Sequence, residues 1–207
     1  KGRKAARDEA APAEQRLGRE LDAARQRLSV LRELEKNMDG YQNSVKAVMR
    51  AAGAHRLRGV VGPVSAILKV EPGCEVAVET ALGGALQNIV VENEAAAKAA
   101  IALLRNDNAG RATFLPLDTV QPGVFRGRLS GTARLASSLV QADARYKNIV
   151  SNLLGRIIVV DEINEASRVA RDNGYHNKVV TLDGQVINAG GSFTGGSVQR
   201  SAGLFTR

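Results

Sequence analysis

Two stretches of the chain repeat one another. LGGALQNIVVENEAAAKAA begins at Leu82 and LGRIIVVDEINEASRVA at Leu154; aligned on their apolar runs, IVVE (89–92) lies over IVVD (158–161) at an offset of 69 residues. The runs that follow also match, FLPLD (114–118) over VVTLD (179–183) at an offset of 65, so the four-residue difference falls in the helix and loop between them. A duplication of this kind implies two helix-strand-helix-strand units related by a pseudo-twofold axis; the alternative is chance similarity among Ala/Val-rich stretches.

The rest of the pattern agrees with alternating strands and helices. Strand signals fall at GVVG (59–62), Ile89 to Val91, RATFLPL (111–117, which Pro116 should end), Ile157 to Val160 and Lys178 to Leu182, with an extended segment at Gln185 to Asn188. Helix signals fall at Cys74 to Ala81, Glu94 to Leu104, Tyr146 to Leu154 and Glu162 to Arg171. Strands separated by single helices give an α/β or α+β fold.

Residues 1 to about 50 are of another kind. They carry 12 basic and 8 acidic side chains, and apolar or small residues recur at Leu17, Leu21, Ala24, Leu28, Leu31, Leu34, Met38, Tyr41, Val45 and Val48. Steps of 3 and 4 average near 3.5, the seam of a long coiled-coil helix, and the doubled step of 3 around Leu31 would locally overwind a supercoil. An amphipathic helix lying on its own domain has a similar spacing. The thin stripe, bordered by Arg25, Arg27, Arg32, Glu33, Glu35 and Lys36, favours the coil, whose antiparallel mate must come from elsewhere.

Several function classes are excluded by composition. With one cysteine, Cys74, and two histidines, His55 and His176, neither an intrachain disulfide nor a paired-cysteine zinc site can form, and no cofactor is expected. No apolar run reaches the roughly 18 to 20 residues of a membrane helix, and the charged first residues hold no signal core, so the chain reads as intracellular, with no membrane partner. It opens without Met inside a helical pattern, as a fragment of a longer protein would. No GxxxxGK phosphate loop occurs, RLSGT (128–132) matches an ATPase signature only in part, and no nucleophile, base and oxyanion set is found, so no catalytic residue is expected.

The densest signal is TLDGQVINAGGSFTGGS (181–197), in which Gly184, Gly191, Gly195 and Gly196 are spaced as G, six residues, G, three residues, GG. Glycines beside an extended QVIN describe an edge strand that another backbone can approach; the bland alternative is a flexible loop. This spacing, together with ALGGALQNIVVE (81–92), resembles the hinge of prokaryotic structural maintenance of chromosomes (SMC) proteins over essentially the whole chain.

The resemblance implies a coiled-coil arm at 1–52, hinge subdomains at 53–130 and 131–200, and the start of a returning coil at 201–207. It also implies a homodimer in which the glycine segment of one hinge meets the N-terminal subdomain of the other, with Gly184, Val186, Ile187, Gly191, Phe193, Gly195 and Gly196 at the interface. The parent would be a cytoplasmic, nucleoid-associated ATPase of chromosome condensation and segregation, its ATPase heads outside this fragment. SMC hinges also bind DNA without sequence preference, and with 29 basic against 21 acidic residues the candidates here are Arg56, Arg58, Arg126, Arg128 and Arg200. The basic run expected after the glycines is reduced to Arg200, which puts DNA contact there in doubt, and a solvated surface is the alternative. Two other classes remain: a coiled-coil adaptor with a folded α/β head, and a nucleotide-binding α/β enzyme.

Overall fold

A computed structural model describes residues 17, 18, 20–22, 25, 38, 40–197 and 205. Of the expected seam, Leu17 and Leu21 are helical and 62% and 51% exposed, whereas Ala24, Leu28, Leu31 and Leu34 lie outside the described residues. Left-handed turns at Met38 (φ 50°) and Gly40 (φ 91°) break the helical spacing, and a separate helix α1 (Asn43–Gly53) begins after them. Val45 and Val48 are 1% and 0% exposed there, because α1 packs against neighbouring elements of its own unit, which runs from Gln42 to Arg207. Of the arm expected at 1–52, the residues from Gln42 on belong to the folded unit.

The duplication is visible in the element order. The first half runs β1 (Val60–Pro63), a helical turn α2 (Val64–Ile67), β2 (Lys69–Val70), α3 (Glu75–Leu82), β3 (Ile89–Val91), α4 (Glu94–Asn106) and β4 (Phe114–Pro116). The second runs β5 (Arg134–Leu135), a 3₁₀ turn (Ala136–Leu139), β6 (Val140–Gln141), α5 (Lys147–Leu154), β7 (Ile158–Val160), α6 (Ile163–Asp172) and β8 (Val179–Thr181). In each half the central strand pairs antiparallel with the first strand and parallel with the last: Ile89 lies opposite Phe114, and Ile158 opposite Val179. The four-residue offset is located too. Helix α4 has 13 residues and α6 has 10, so three are lost in the helix and one in the loop.

Equivalent positions do equivalent work. Asn93 caps α4 by accepting from the Ala96 N–H at 2.9 Å, and Glu162 caps α6 by accepting from the N–H groups of Glu165 and Asn164. IVV in β3 and in β7 is buried at all three positions, as strands covered on both faces must be. Antiparallel β2 and β6 join the halves, and one apolar cluster runs through both, from Val64, Val78 and Val90 to Leu139, Leu154 and Val180. The expected subdomains are therefore two half-units of one α+β body that share a core.

Residues 118–133 cross from the first half to the second as a strap held by side chains. Ser151 Oγ donates to the Gly123 carbonyl at 2.7 Å, and the Asn173 amide accepts from the Arg128 N–H at 2.7 Å while donating to the Arg128 carbonyl at 3.0 Å. Near its end the Thr132 N–H donates to Glu165 Oε1 at 2.7 Å and the Thr132 hydroxyl donates to Oε2. The hydroxyl and then the main-chain N–H of Thr132 hold the Glu165 carboxyl below the usual carboxylate range. The RLSGT string is thus a tether of the strap.

Candidate functional site

Two strands have no counterpart in the duplication. After β8 the chain turns at Thr181 to Gly184, adds β9 (Val186–Ile187) antiparallel to β8, and then folds β10 (Phe193–Thr194) back onto β9. The five-stranded sheet is ordered β10-β9-β8-β7-β5, so β9 is interior and β10 is the edge. Val186 and Ile187, expected at the interface, are 7% and 0% exposed, with Ile187 packed among Ile158, Val160 and Val179, so these side chains face their own core. Phe193, in contrast, is 60% exposed.

Main-chain alternation shows which groups face outward. The Asn188 N–H donates to the Ser192 carbonyl at 2.8 Å, and Thr194 lies opposite Val186. Ser192 and Thr194 therefore bond toward β9, and the N–H and C=O of Phe193 point to the open side. An aromatic side chain next to a bare donor and acceptor is the chemistry of strand addition.

The four glycines take different places. Gly184 is buried in the turn between β8 and β9 at φ 88°, its N–H donating to the Thr181 carbonyl at 3.0 Å, and Gly191 at φ 91° lies over the Tyr175 ring. Gly195 and Gly196 are exposed at the end of β10. A Cβ on Gly195 would overlap Gln185 Oε1, whereas around Gly196, at φ 130°, the space is open. The sequence reading missed Gln185, whose side chain bonds both main-chain groups of Gly196, accepting from its N–H at 2.8 Å and donating to its carbonyl at 3.1 Å. Only its place at the start of the extended QVIN could have signalled it.

Among the described residues, a second bare edge exists in the first half. The sheet β1-β3-β4 ends at β4, whose equivalent in the other half, β8, carries β9. Thr113 and Leu117 bond toward β3, the Thr113 carbonyl accepting from the Ile89 N–H and the Leu117 N–H donating to the Val91 carbonyl. Alternation then leaves the main chain of Phe114 on the outer side, beside a proline that has no donor.

The arginines are spread over both halves. Arg56 pairs with Asp107 just past the C-terminal end of α4, at 3.5 Å on the exposed surface, and Arg58 is exposed nearby in sequence. Arg126 and Arg128 are exposed on the strap, with Arg128 fixed to Asn173 at the corresponding end of α6. Arg134 pairs with Glu71 at 3.2 Å, and Arg200 lies outside the described residues. His55 and His176 are exposed, and Cys74 is buried. Among the described residues, no group of three or more His, Cys, Asp or Glu could hold a metal ion, and no helix is long and apolar enough to cross a membrane.

Comparison with known proteins gives a consistent set of likenesses. The profile of the family described as "SMC proteins Flexible Hinge Domain" matches residues 57–170, more than half of the chain. The chromosome partition protein Smc of Desulfitobacterium hafniense is 39% identical over 193 residues, covering 90% of this chain and 16% of that protein. That of Bacillus subtilis is 35% identical over 187 residues, covering 87% and 16%. The chain thus spans about one sixth of the length of these relatives. Among solved structures, an asymmetric dimer of the Geobacillus stearothermophilus SMC hinge domain superposes with a TM-score of 0.80 at 36% identity, covering 88% of this chain and 75% of that one. The Pyrococcus furiosus SMC hinge domain gives 0.64 at 28% identity, covering 80% and 85%.

Proposed function

This chain belongs to the family of SMC flexible hinge domains, and from that premise we propose that it is the dimerisation module of a chromosome-partitioning SMC ATPase, joining two such chains in the cytoplasm at the nucleoid. The observation that carries the reading is the outer edge of β10, where Phe193 is 60% exposed beside main chain that has no partner among the described residues. Strand β10 of one copy would add to the bare β4 edge of the other, in the place that β9 occupies on β8. Twofold symmetry makes the contact twice and closes a ring, so no edge is left free to propagate. The module itself has a mechanical role, and ATP hydrolysis falls to parts of the parent chain outside these residues.

A coiled-coil adaptor would dimerise through its N-terminal seam instead, and truncation separates the two. The cut belongs before Gln42, since removing residues 1–50 would also remove the buried Val45 and Val48. A chain starting at Gln42 is expected to remain dimeric by light scattering across micromolar dilution. A monomer in that range would favour the adaptor.

DNA contact is the secondary role, supported by the excess of 29 basic over 21 acidic residues and by the exposed Arg58, Arg126 and Arg128. The Arg56–Asp107 pair reduces what Arg56 adds. Binding should be independent of sequence and should fall steeply with salt, because each neutralised phosphate releases counterions. Titration of labelled duplex at about 50 mM and about 200 mM salt is expected to show roughly a tenfold to hundredfold loss of affinity for two to four phosphate contacts. No binding at the lower salt would remove this role.

A further inference from the structure

Strand β10 has only two residues, and glycines follow it. Such a piece of edge is marginal by itself, and if it became ordered only on meeting a partner, the ordering entropy would be subtracted from affinity. Two amide side chains that flank β9 reach across to this edge. Gln185 engages Gly196 at two points, accepting from its N–H at 2.8 Å and donating to its carbonyl at 3.1 Å, as a paired strand residue would. Asn188 Nδ2 donates to Ser192 Oγ at 3.2 Å and to Thr194 Oγ1 at 3.1 Å, beside its own main-chain bond to the Ser192 carbonyl. The two amides bracket Phe193 from the inner side and leave its outer side open.

We infer that Gln185 and Asn188 are positioning residues that hold the outer strand in the shape a second copy must meet; this rests on the dimer reading above. The clamp also gives Gly195 a role within its own chain. A side chain there would displace the Gln185 amide, so the glycine serves the brace, whereas the open space at Gly196 serves the approaching backbone.

The test uses the whole chain. Gln185→Ala and Asn188→Ala are each expected to raise the dimer Kd about tenfold by sedimentation equilibrium, since each symmetric dimer loses the brace twice. Both side chains are half-buried outside the core, so the thermal midpoint of the dilute monomer should move by no more than about 3 °C. In the same dilute protein the Gly196 amide should exchange faster in Gln185→Ala. Gln185→Glu keeps the acceptor for the Gly196 N–H but sets a carboxylate oxygen against the Gly196 carbonyl, so a Kd raised severalfold or more over wild type is expected; this variant decides the matter should Gln185→Ala not fold. A dimeric wild type whose variants keep its Kd within twofold overturns the clamp and leaves the dimer reading standing. A wild type that stays monomeric overturns both.

Discussion

Replacing Gly195 and Gly196 together with valine is expected to leave a folded protein that is monomeric at concentrations where the wild type is dimeric, with a dimer Kd raised at least about a hundredfold, roughly 2.7 kcal/mol. Each position contributes by its own route. Valine at 195 forces the Gln185 amide off Gly196, and valine at 196 must adopt φ near 130°, which β-branched residues avoid, while placing methyl groups in the open space a partner would enter. In the proposed twofold dimer both penalties apply twice. The core is spared: Gly195 and Gly196 are exposed and lie beyond the buried Val186 and Ile187. Light scattering across dilution, with circular dichroism to confirm folding, reads the outcome, and a double variant that follows the wild-type mass curve would falsify the edge-pairing reading.

The sequence carried the repeated part of the fold well, for a physical reason. Strand runs such as Ile89–Val91 and Ile158–Val160 are buried on both faces, so they appear as unbroken apolar triplets. Their helices open with capping groups at matching offsets, Asn93 and Glu162, and the pairing register follows from both. The non-repeated part was less legible. Val186 and Ile187 next to glycines suited an exposed edge as well as an interior strand, and only the return of Phe193–Thr194 decides between them. Two strand residues leave no periodicity to detect.

The N-terminal boundary was hidden for a related reason. Val45 and Val48 continue the 3.5-residue spacing of the seam, so periodicity runs on where the chain itself breaks at Met38 and Gly40. The strap was not legible at all, since its order comes from single side chains far away in sequence, such as Asn173 on Arg128 and Glu165 on Thr132. Composition reports such bonds only as polar residues on helices.

Ile187 and Phe193 lie opposite one another across β9 and β10, and their replacements are expected to separate stability from association. Ile187 is fully buried among Ile158, Val160 and Val179, so Ile187→Ala should cost about 3 kcal/mol of unfolding free energy and lower the thermal midpoint by roughly 6 to 12 °C. Phe193→Ala removes a side chain that is 60% exposed, and unfolding should change by no more than about 0.5 kcal/mol. Its effect should appear on dilution: an aromatic anchor lost from each of two symmetric contacts is expected to raise the dimer Kd by roughly a hundredfold or more. Denaturant titration of the dilute protein reads the first quantity and mass against concentration reads the second. Were Phe193→Ala to destabilise the monomer as much as Ile187→Ala does, Phe193 would be a core residue and the outer face of β10 would be closed to a partner. Were it to change neither quantity, the aromatic would be a bystander, and the affinity of the edge would have to come from main-chain pairing alone.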